Sequence, residues 1–139
     1  MLAVNGILET ALYVEDLERA AAFYEQLFGF SRLLADERMI ALNVSEAPRQ
    51  VLLLFLRGAS GEGAKVPGGH IPPHEGAGRV HFAFGVPESD IAAWRQRLQA
   101  HEVEIISEVR PPQGDLSLYF RDADGHLAEL ATPRIWDME

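Results

Sequence analysis

The first half of the chain alternates apolar and polar residues and then changes to a helical spacing. Residues 8–14 follow the two-residue period of a strand with one buried face. From Asp16 onward, apolar residues recur every three or four positions until Gly29, so Asp16 is predicted to cap a helix at its start and Gly29 at its end. Three further strands are predicted, near residues 31–34, 39–44 and 50–56.

The second half repeats this order of elements. Residues 80–86 alternate as a strand, and Ser89 or Asp90 is predicted to cap a helix that carries Ile91, Trp94 and Leu98 on one face. Three strands follow, near residues 104–109, 117–121 and 126–131. Because strand, helix and three strands occur twice, the predicted fold class is α+β, a duplicated βαβββ module whose helices cover one face of each sheet.

A segment without hydrophobic periodicity separates the two halves. Residues 57–78 contain seven glycines and three prolines, which is typical of a linker or a functional loop. We therefore expect a first module over residues 1–57, a loop over 58–78 and a second module over 79–139, in one compact domain. His74 lies on this loop and could close over a substrate as a lid, although a solvated loop is the simpler explanation.

Composition and charge exclude several classes of protein. The 139 residues are 47% apolar and contain no cysteine, which removes thiol catalysis, cysteine-bound metals and disulfide scaffolds. The net charge of -9 disfavours nucleic acid and anionic membranes as partners. The longest apolar run, residues 51–56, is too short for a membrane helix, and the first residues do not resemble a signal peptide, so a cytoplasmic location is expected.

Candidate chemistry comes from the strand register. If the apolar positions of the two first strands pack beneath the helices, Glu9 and His81 take matched places on the opposite face, one in each module. Glu129 is the one charged residue inside an apolar last strand, where an unpaired carboxylate is costly. Each has a simpler explanation: Glu9 as a strand-edge residue, His81 as a core histidine, and Glu129 as the cross-strand partner of Arg121.

Other candidates lie near the last two strands. Tyr119 and Arg121 share one face of their strand and could point a hydroxyl and a guanidinium at a bound oxyanion, or form surface pairs instead. His126 follows a tight turn and is expected to be exposed. Tyr13, with Phe23, Phe28 and Trp94, is expected in the core or at a dimer surface rather than as a platform for stacking bases.

Two runs of sequence carry a resemblance to a known family: residues 7–17, ILETALYVEDL, and residues 119–130, YFRDADGHLAEL. They resemble the opening and the ending of the vicinal oxygen chelate superfamily, which includes glyoxalase I, bleomycin resistance proteins and extradiol dioxygenases. The resemblance implies two βαβββ modules that form a cupped mixed sheet, with the helices on the outer face, around a divalent metal. Carried over by position, it gives Glu9, His81 and Glu129 as metal ligands, and it places Leu53 where some members have a fourth ligand.

Electrostatics supports this ligand set independently. Two carboxylates that converge in one cup repel each other unless a cation lies between them. A divalent ion with Glu9, Glu129 and a neutral His81 sums to zero charge, and three protein ligands leave positions open for water or a chelating substrate. The donor set suits Mn²⁺, Fe²⁺, Co²⁺, Ni²⁺ or Zn²⁺ without selecting among them.

The resemblance implies a metalloenzyme of the glyoxalase-like lyase or isomerase kind, acting on a small molecule with adjacent oxygens through an enediolate. Glu9 or Glu129 is then expected to shuttle the proton, and a homodimer is expected. An extradiol-type dioxygenase is one alternative, although Glu9 replaces the first histidine of those enzymes. A metal-free binding protein, like the bleomycin resistance proteins, is another alternative.

Overall fold

The computed structural model describes residues 1–112 and 115–137. The chain divides into two units, residues 1–77 and residues 78–139. Within the described residues, each unit contains one helix and one four-stranded sheet. The predicted α+β class and the duplicated module are therefore confirmed.

The first unit begins with the predicted strand, helix and three strands. Their bounds are β1 Glu9–Val14, α1 Leu17–Phe28, β2 Ser31–Ala35, β3 Met39–Glu46 and β4 Arg49–Leu56. The strands lie in the order β1-β4-β3-β2, in which β1 runs parallel to β4 and the other neighbours are antiparallel. A parallel pair needs a crossover connection, and here that connection is α1 with β2 and β3.

The second unit repeats this plan. Its elements are β7 His81–Gly85, α2 Ile91–Ala100, β8 Ser107–Val109, β9 Ser117–Arg121 and β10 Leu127–Ala131, with short 3-10 turns at Glu88–Asp90 and Pro133–Trp136. The strand order is β7-β10-β9-β8, again with the first and last strands parallel. Position for position, this is the order of the first unit.

The two helices begin differently. Asp16 accepts a hydrogen bond from the backbone N–H of Arg19 at 3.1 Å, and Gly29 ends α1 with a φ of 74°, as the sequence predicts. Residues Glu88–Asp90 form a 3-10 turn ahead of α2, and Asp90 makes no capping hydrogen bond through its side chain. The sequence pattern therefore locates both helices, but it predicts side-chain capping correctly only for α1.

The core follows the face that the alternation predicts, with one correction at each first strand. Leu12 and Val14 of β1 are buried, and so are Leu118 and Leu130 of the second unit. Residues 8 and 80, both expected beneath the helices, are 58% and 41% exposed because they precede β1 and β7 rather than belonging to them. The correction leaves the parity of the strands unchanged.

The glycine-rich segment contains more structure than its composition predicts. Strands β5 Ala64–Val66 and β6 Gly69–Ile71 form a two-stranded hairpin, and Ser60 is fully buried. The backbone N–H of His74 donates to the Ser60 carbonyl at 3.1 Å, which ties the end of the segment to its beginning. The segment is thus a loop of the first unit that contains a hairpin and is closed by a hydrogen bond between its ends.

The prediction that His126 is exposed is wrong. His126 is 1% exposed, and its Nδ1 lies 2.8 Å from a carboxylate oxygen of Asp122. The other Asp122 oxygen accepts from the backbone N–H groups of Asp124 and His126. The tight turn buries the histidine because this carboxylate satisfies both the ring and the backbone of the turn.

No helix in residues 1–112 or 115–137 is both long enough and apolar enough to cross a bilayer.

Candidate functional site

The strand register establishes which residues of the two units correspond. In the first unit Glu9 lies beside Val51, and in the second His81 lies beside Leu127. Two residues further along the last strands, Leu53 corresponds to Glu129. Glu9 and His81 therefore hold matched positions, as the sequence predicts. At the other matched pair, the second unit has the carboxylate of Glu129 and the first unit has the apolar Leu53.

In the second unit the structure brings His81 and Glu129 together. The Nε2 atom of His81 lies 3.1 Å from Oε1 of Glu129. The Glu129 residue is 5% exposed, whereas the His81 side chain is 49% exposed. A nearly buried carboxylate and a half-exposed imidazole thus share one face of the sheet.

The far side of each group is held by a hydrogen bond. Nδ1 of His81 lies 2.9 Å from the carbonyl oxygen of Leu127, which can only accept, so Nδ1 carries a proton. The hydroxyl of Ser117 donates to Oε2 of Glu129 at 2.5 Å. The atoms left to face each other are Nε2 of His81 and Oε1 of Glu129.

The two facing atoms need a proton or a metal ion between them. In a neutral imidazole with its proton on Nδ1, Nε2 is an acceptor, and so is a carboxylate oxygen. Two acceptors in contact repel unless a proton or a metal ion joins them. Two donors about 2.1 Å from one ion and at right angles lie about 3.0 Å apart, so the donor atoms, their outer hydrogen bonds and their spacing all fit a divalent metal.

The pair lies in a pocket of about 560 Å³ in the second unit. Tyr119 also lines this pocket, and its ring centroid lies 6.0 Å from that of His81. Pro111, Ile135 and Trp136 supply apolar walls. The pocket is therefore large enough for a small molecule beside the candidate metal ligands.

The structure separates Tyr119 from Arg121. Arg121 is exposed, and its Nη1 donates to the carbonyl oxygen of Gly125 at 3.1 Å. The described partners of Glu129 are His81 and Ser117, so the simpler explanation that pairs Glu129 with Arg121 is not what the structure shows. A role for Arg121 in substrate binding remains a prediction.

Glu9, the third predicted ligand, lies on β1 in the first unit and is exposed. Within residues 1–112 and 115–137, no group of three or more His, Asp or Glu side chains is arranged to hold a metal ion. The contact that the structure shows is the pair of His81 and Glu129. The participation of Glu9 stays a prediction.

The matched face of the first unit forms a pocket of different chemistry. Its volume is about 610 Å³, and its floor is largely apolar. His74, predicted from the sequence as a possible lid residue, lines it and shares a 2.7 Å hydrogen bond between its Nδ1 and the Tyr13 hydroxyl. Burial, with the nearby charge of Glu75 as a smaller cause, raises the pKa of the Tyr13 phenol above its usual value. Tyr13 is thus a pocket residue rather than a purely core one.

Sequence reasoning missed Ser117 and Arg38. Ser117 shares the strand face of Tyr119, so the same parity that singles out Tyr119 also indicates Ser117. Arg38 reaches the pocket of the first unit from the turn before β3, where no periodic pattern exists. Only the folded chain shows that it belongs there.

Comparison with known proteins gives sequence relatives along nearly the whole chain. Metallothiol transferase FosB of Bacillus licheniformis is 25% identical over 135 residues, covering 96% of this chain and 79% of the relative. Glutathione transferase FosA of Serratia marcescens is 26% identical over 136 residues, covering 91% of this chain and 80% of the relative.

Solved structures agree with the sequence relatives. A lactoylglutathione lyase from Agrobacterium tumefaciens superposes with a TM-score of 0.86 at 31% identity, covering 97% of this chain and 98% of that one. The fold is also that of TioX from Micromonospora, at a TM-score of 0.70 and 22% identity over 92% of this chain and 98% of the other.

A family profile settles the relationship. The profile of the Glyoxalase/Bleomycin resistance protein/Dioxygenase superfamily matches residues 6–130. This range includes both sequence runs that carry the resemblance, together with Glu9, His81 and Glu129. The resemblance noted in the sequence is therefore confirmed, and the chain belongs to the Glyoxalase/Bleomycin resistance protein/Dioxygenase superfamily.

Proposed function

We propose that the protein is a divalent-metal-dependent enzyme of the lyase or isomerase kind that acts on a small substrate with adjacent oxygen atoms. The observation that carries this proposal is the contact between Nε2 of His81 and Oε1 of Glu129, each group held from behind by a hydrogen bond. Support also comes from the lactoylglutathione lyase that is 31% identical to this chain.

The residues of the second unit have distinct parts in this proposal. The Leu127 carbonyl holds the tautomer of His81 that leaves Nε2 free to bind, and Ser117 fixes the rotation of the Glu129 carboxylate. Pro111 and Ile135 supply apolar contacts for the body of the substrate. A divalent ion at His81 and Glu129 supplies Lewis-acid polarisation of a substrate oxygen.

Proton transfer is assigned to a carboxylate. In an isomerisation, one base removes a proton from the carbon beside a carbonyl and returns it to the neighbouring atom, so no oxidant is needed. Glu9 and Glu129 are the candidates, as the sequence indicates. Glu9 is further proposed as the third ligand, contributed by the same chain or by the second copy of a homodimer.

Thiol transfer is a second candidate activity. The relatives named metallothiol transferase and glutathione transferase match more than nine-tenths of this chain. Both activities need a metal that polarises an oxygen of a small electrophile, so the same pair of residues serves either one. A substrate panel therefore includes the hemithioacetal of glutathione and methylglyoxal, and an epoxide offered together with a thiol.

The test is metal titration of chelator-treated protein by calorimetry, followed by the substrate panel. We expect saturable binding of Mn²⁺, Co²⁺, Ni²⁺ or Zn²⁺, with proton release if the metal replaces a proton on His81. Glu129→Gln and His81→Ala should each weaken binding at least about tenfold, whereas His70→Ala, at an exposed histidine on β6, should not.

The outcomes separate the alternatives. Metal binding that restores turnover supports the enzyme, and ring cleavage of a catechol with Fe²⁺ and O₂ would select the dioxygenase instead. Absence of stoichiometric metal binding after reconstitution would overturn the proposal and favour a metal-free binding protein. If metal binds, Glu9→Gln tests whether Glu9 is the third ligand. It should weaken metal binding without altering the contact between His81 and Glu129.

A further inference from the structure

The pocket of the first unit has an apolar floor and polar groups at its two ends. Met39, Ala41 and Phe55 form a hydrophobic cluster, packed by Val51 and Leu53, on the face of the sheet away from α1. A volume of about 610 Å³ is within the usual range for small-molecule sites, which are mostly apolar with a few polar groups. The pocket thus has the composition of a ligand site rather than of a packing defect.

The strand register fixes how far apart the polar ends are. Glu9 lies beside Val51 and Tyr13 lies beside Phe55, four residues further along both strands. At about 3.3 Å per residue, the two ends are about 13 Å apart. Phe55 also pairs with Met39 across the sheet, so Arg38 lies at the Tyr13 end and the acidic Glu9 at the other.

The guanidinium of Arg38 lines this pocket and has N–H donors that are not bonded to a carboxylate of the described residues. Its Nη1 donates to the Ser60 hydroxyl at 2.9 Å, its Nη2 lies 3.7 Å from the Met39 sulfur, and its guanidinium lies 5.4 Å from the Phe55 ring centroid. Among the residues that the structure describes, no acidic side chain forms a salt bridge with it. A guanidinium has five N–H donors, and a thioether is a weak acceptor, so several donors remain for a ligand.

A wall of aromatic rings holds this end of the pocket in shape. The Tyr13 hydroxyl bonds Nδ1 of His74, and the His74 ring meets the Phe55 ring edge-on with centroids 4.6 Å apart. Ser60 links the wall to the cation, because its hydroxyl accepts from Arg38 while its carbonyl accepts from the backbone of His74. The cation and the rings are therefore positioned together before any ligand arrives.

We propose that this pocket binds a small apolar acid, with its carboxylate at Arg38 and its apolar body on the floor of Met39, Leu53 and Phe55. A planar carboxylate matches the fork of a guanidinium, and the apolar floor favours a hydrocarbon or aromatic body. The acidic residue at the far end disfavours a second negative charge there. The inference concerns residues of the first unit, and it is tested in metal-free protein because Glu9 is also proposed as a metal ligand.

The experiment compares 3-phenylpropionate with its neutral amide, 3-phenylpropionamide, in chelator-treated protein. Binding is followed by amide chemical shifts in heteronuclear NMR, which also identify the residues contacted. We expect saturable binding of the acid, at least about tenfold tighter than the amide, because a charge-assisted hydrogen bond is lost in the amide. The largest shifts should fall at Tyr13, Phe55 and His74.

Three variants identify the cation responsible. Arg38→Met keeps an apolar stem and should abolish the preference for the acid, whereas Arg38→Lys keeps the charge without the fork and should retain part of it. Arg49→Met removes the same charge from an exposed position outside this pocket and should leave the preference intact. Thermal unfolding of each variant verifies that it folds. If Arg38→Met does not fold, Arg38→Lys still tests the role of Arg38, because an acid preference equal to that of the unchanged protein would show that the guanidinium fork is not the binding group.

Equal binding of acid and amide would overturn the proposal, as would a preference that survives Arg38→Met or an absence of saturable binding. Because the protein is metal-free in this experiment, failure here leaves the metal proposal standing, and failure of metal binding leaves this one standing.

Discussion

The two units place different side chains on the same strand plan. Both sheets have the order first, fourth, third and second strand of their unit, with parallel outer pairs in matching register. Where the second unit has His81 and Glu129, the first has Glu9 and Leu53. The neighbouring antiparallel strands show the same change from polar to apolar, since Tyr119 of β9 lies beside Glu129 and Ala41 of β3 lies beside Leu53.

These substitutions give the two sheets different chemistry without changing their architecture. The second unit combines a buried carboxylate, an imidazole and a hydroxyl, which suit a metal. The first combines an apolar floor with Arg38 and a Tyr13–His74 wall, which suit an organic molecule. The helix-facing sides of both sheets are apolar, so the fold depends on one face while the other is free to vary.

The hairpins before the last strands provide the strongest test of this comparison. His126 and Gln50 hold matched positions, but His126 is buried against Asp122 and Gln50 is exposed. His126→Ala should lower the free energy of unfolding by about 3 kcal/mol, because the buried Oδ2 of Asp122 loses the imidazole that faces it. Denaturant unfolding measures this. Gln50→Ala should change it by no more than about 0.5 kcal/mol, and equal effects would contradict the comparison.

Gly76 tests the wall that is particular to the first unit. A Cβ at this position would lie 2.5 Å from Cδ2 of Tyr13, whereas one at Gly61 would meet no heavy atom nearer than 3.8 Å. Gly76→Ala should therefore destabilise the protein by about 1–3 kcal/mol, through displacement of the Tyr13 ring. Thermal unfolding and the NMR signals of the Tyr13 ring report the change. Gly61→Ala is the control, and a similar loss there would remove the explanation.

Ser117 tests the hydrogen bond behind the candidate metal ligand. Ser117→Ala should weaken metal binding about tenfold while the fold persists, because Glu129 loses the group that orients its carboxylate. Calorimetric titration measures the affinity. Ser107→Ala, at an exposed serine on β8, should have no such effect, and unchanged affinity in the Ser117 variant would mean that this bond does not position the ligand.

The smallest expected effects concern the salt bridges between helix and edge strand. Arg32 on β2 bonds Glu18 and Glu25 of α1, and Arg95 on α2 bonds Glu108 of β8. The hydrogen bond from Arg32 lowers the pKa of Glu18 below its ordinary value, and the one from Arg95 does the same for Glu108. Each pair thus stabilises the fold above the ordinary carboxyl pKa, and that stability is lost as the pH falls through the lowered value.

Carboxyl titration by NMR checks this prediction. Arg32→Gln should return the pKa of Glu18 toward its ordinary value without moving that of Glu108, and Arg95→Gln should do the reverse. Because these pairs are solvent-exposed, unfolding measurements should register little change. A shift at Glu108 in the Arg32 variant would show that the two bridges are not independent.

The sequence predicts the regular part of this molecule well. Hydrophobic alternation locates the eight strands of the two sheets, and the matching of residues 50–53 with 126–129 agrees with the observed register. The alternation and the matching of the two halves both predict correctly because burial repeats with a fixed period along a strand. The same parity that selected Glu9, His81 and Glu129 also includes Ser117.

Irregular segments follow no such period. Arg38, Ser60 and His74 come together through turns and through the excursion around the β5–β6 hairpin, where long-range hydrogen bonds fix the backbone. The burial of His126 is not predicted for a related reason: turn residues are usually exposed, but here Asp122 satisfies the ring. Side chains that depend on a particular partner cannot be placed from alternation alone.

Binding of a divalent cation by His81 and Glu129 can be seen in a crystal grown with Zn²⁺, through anomalous scattering at the zinc edge. We expect a peak about 2.0–2.2 Å from both Nε2 of His81 and Oε1 of Glu129. Protein saturated with Zn²⁺ that shows no peak between these two atoms, with the imidazole still paired directly to the carboxylate, would rule out this metal site.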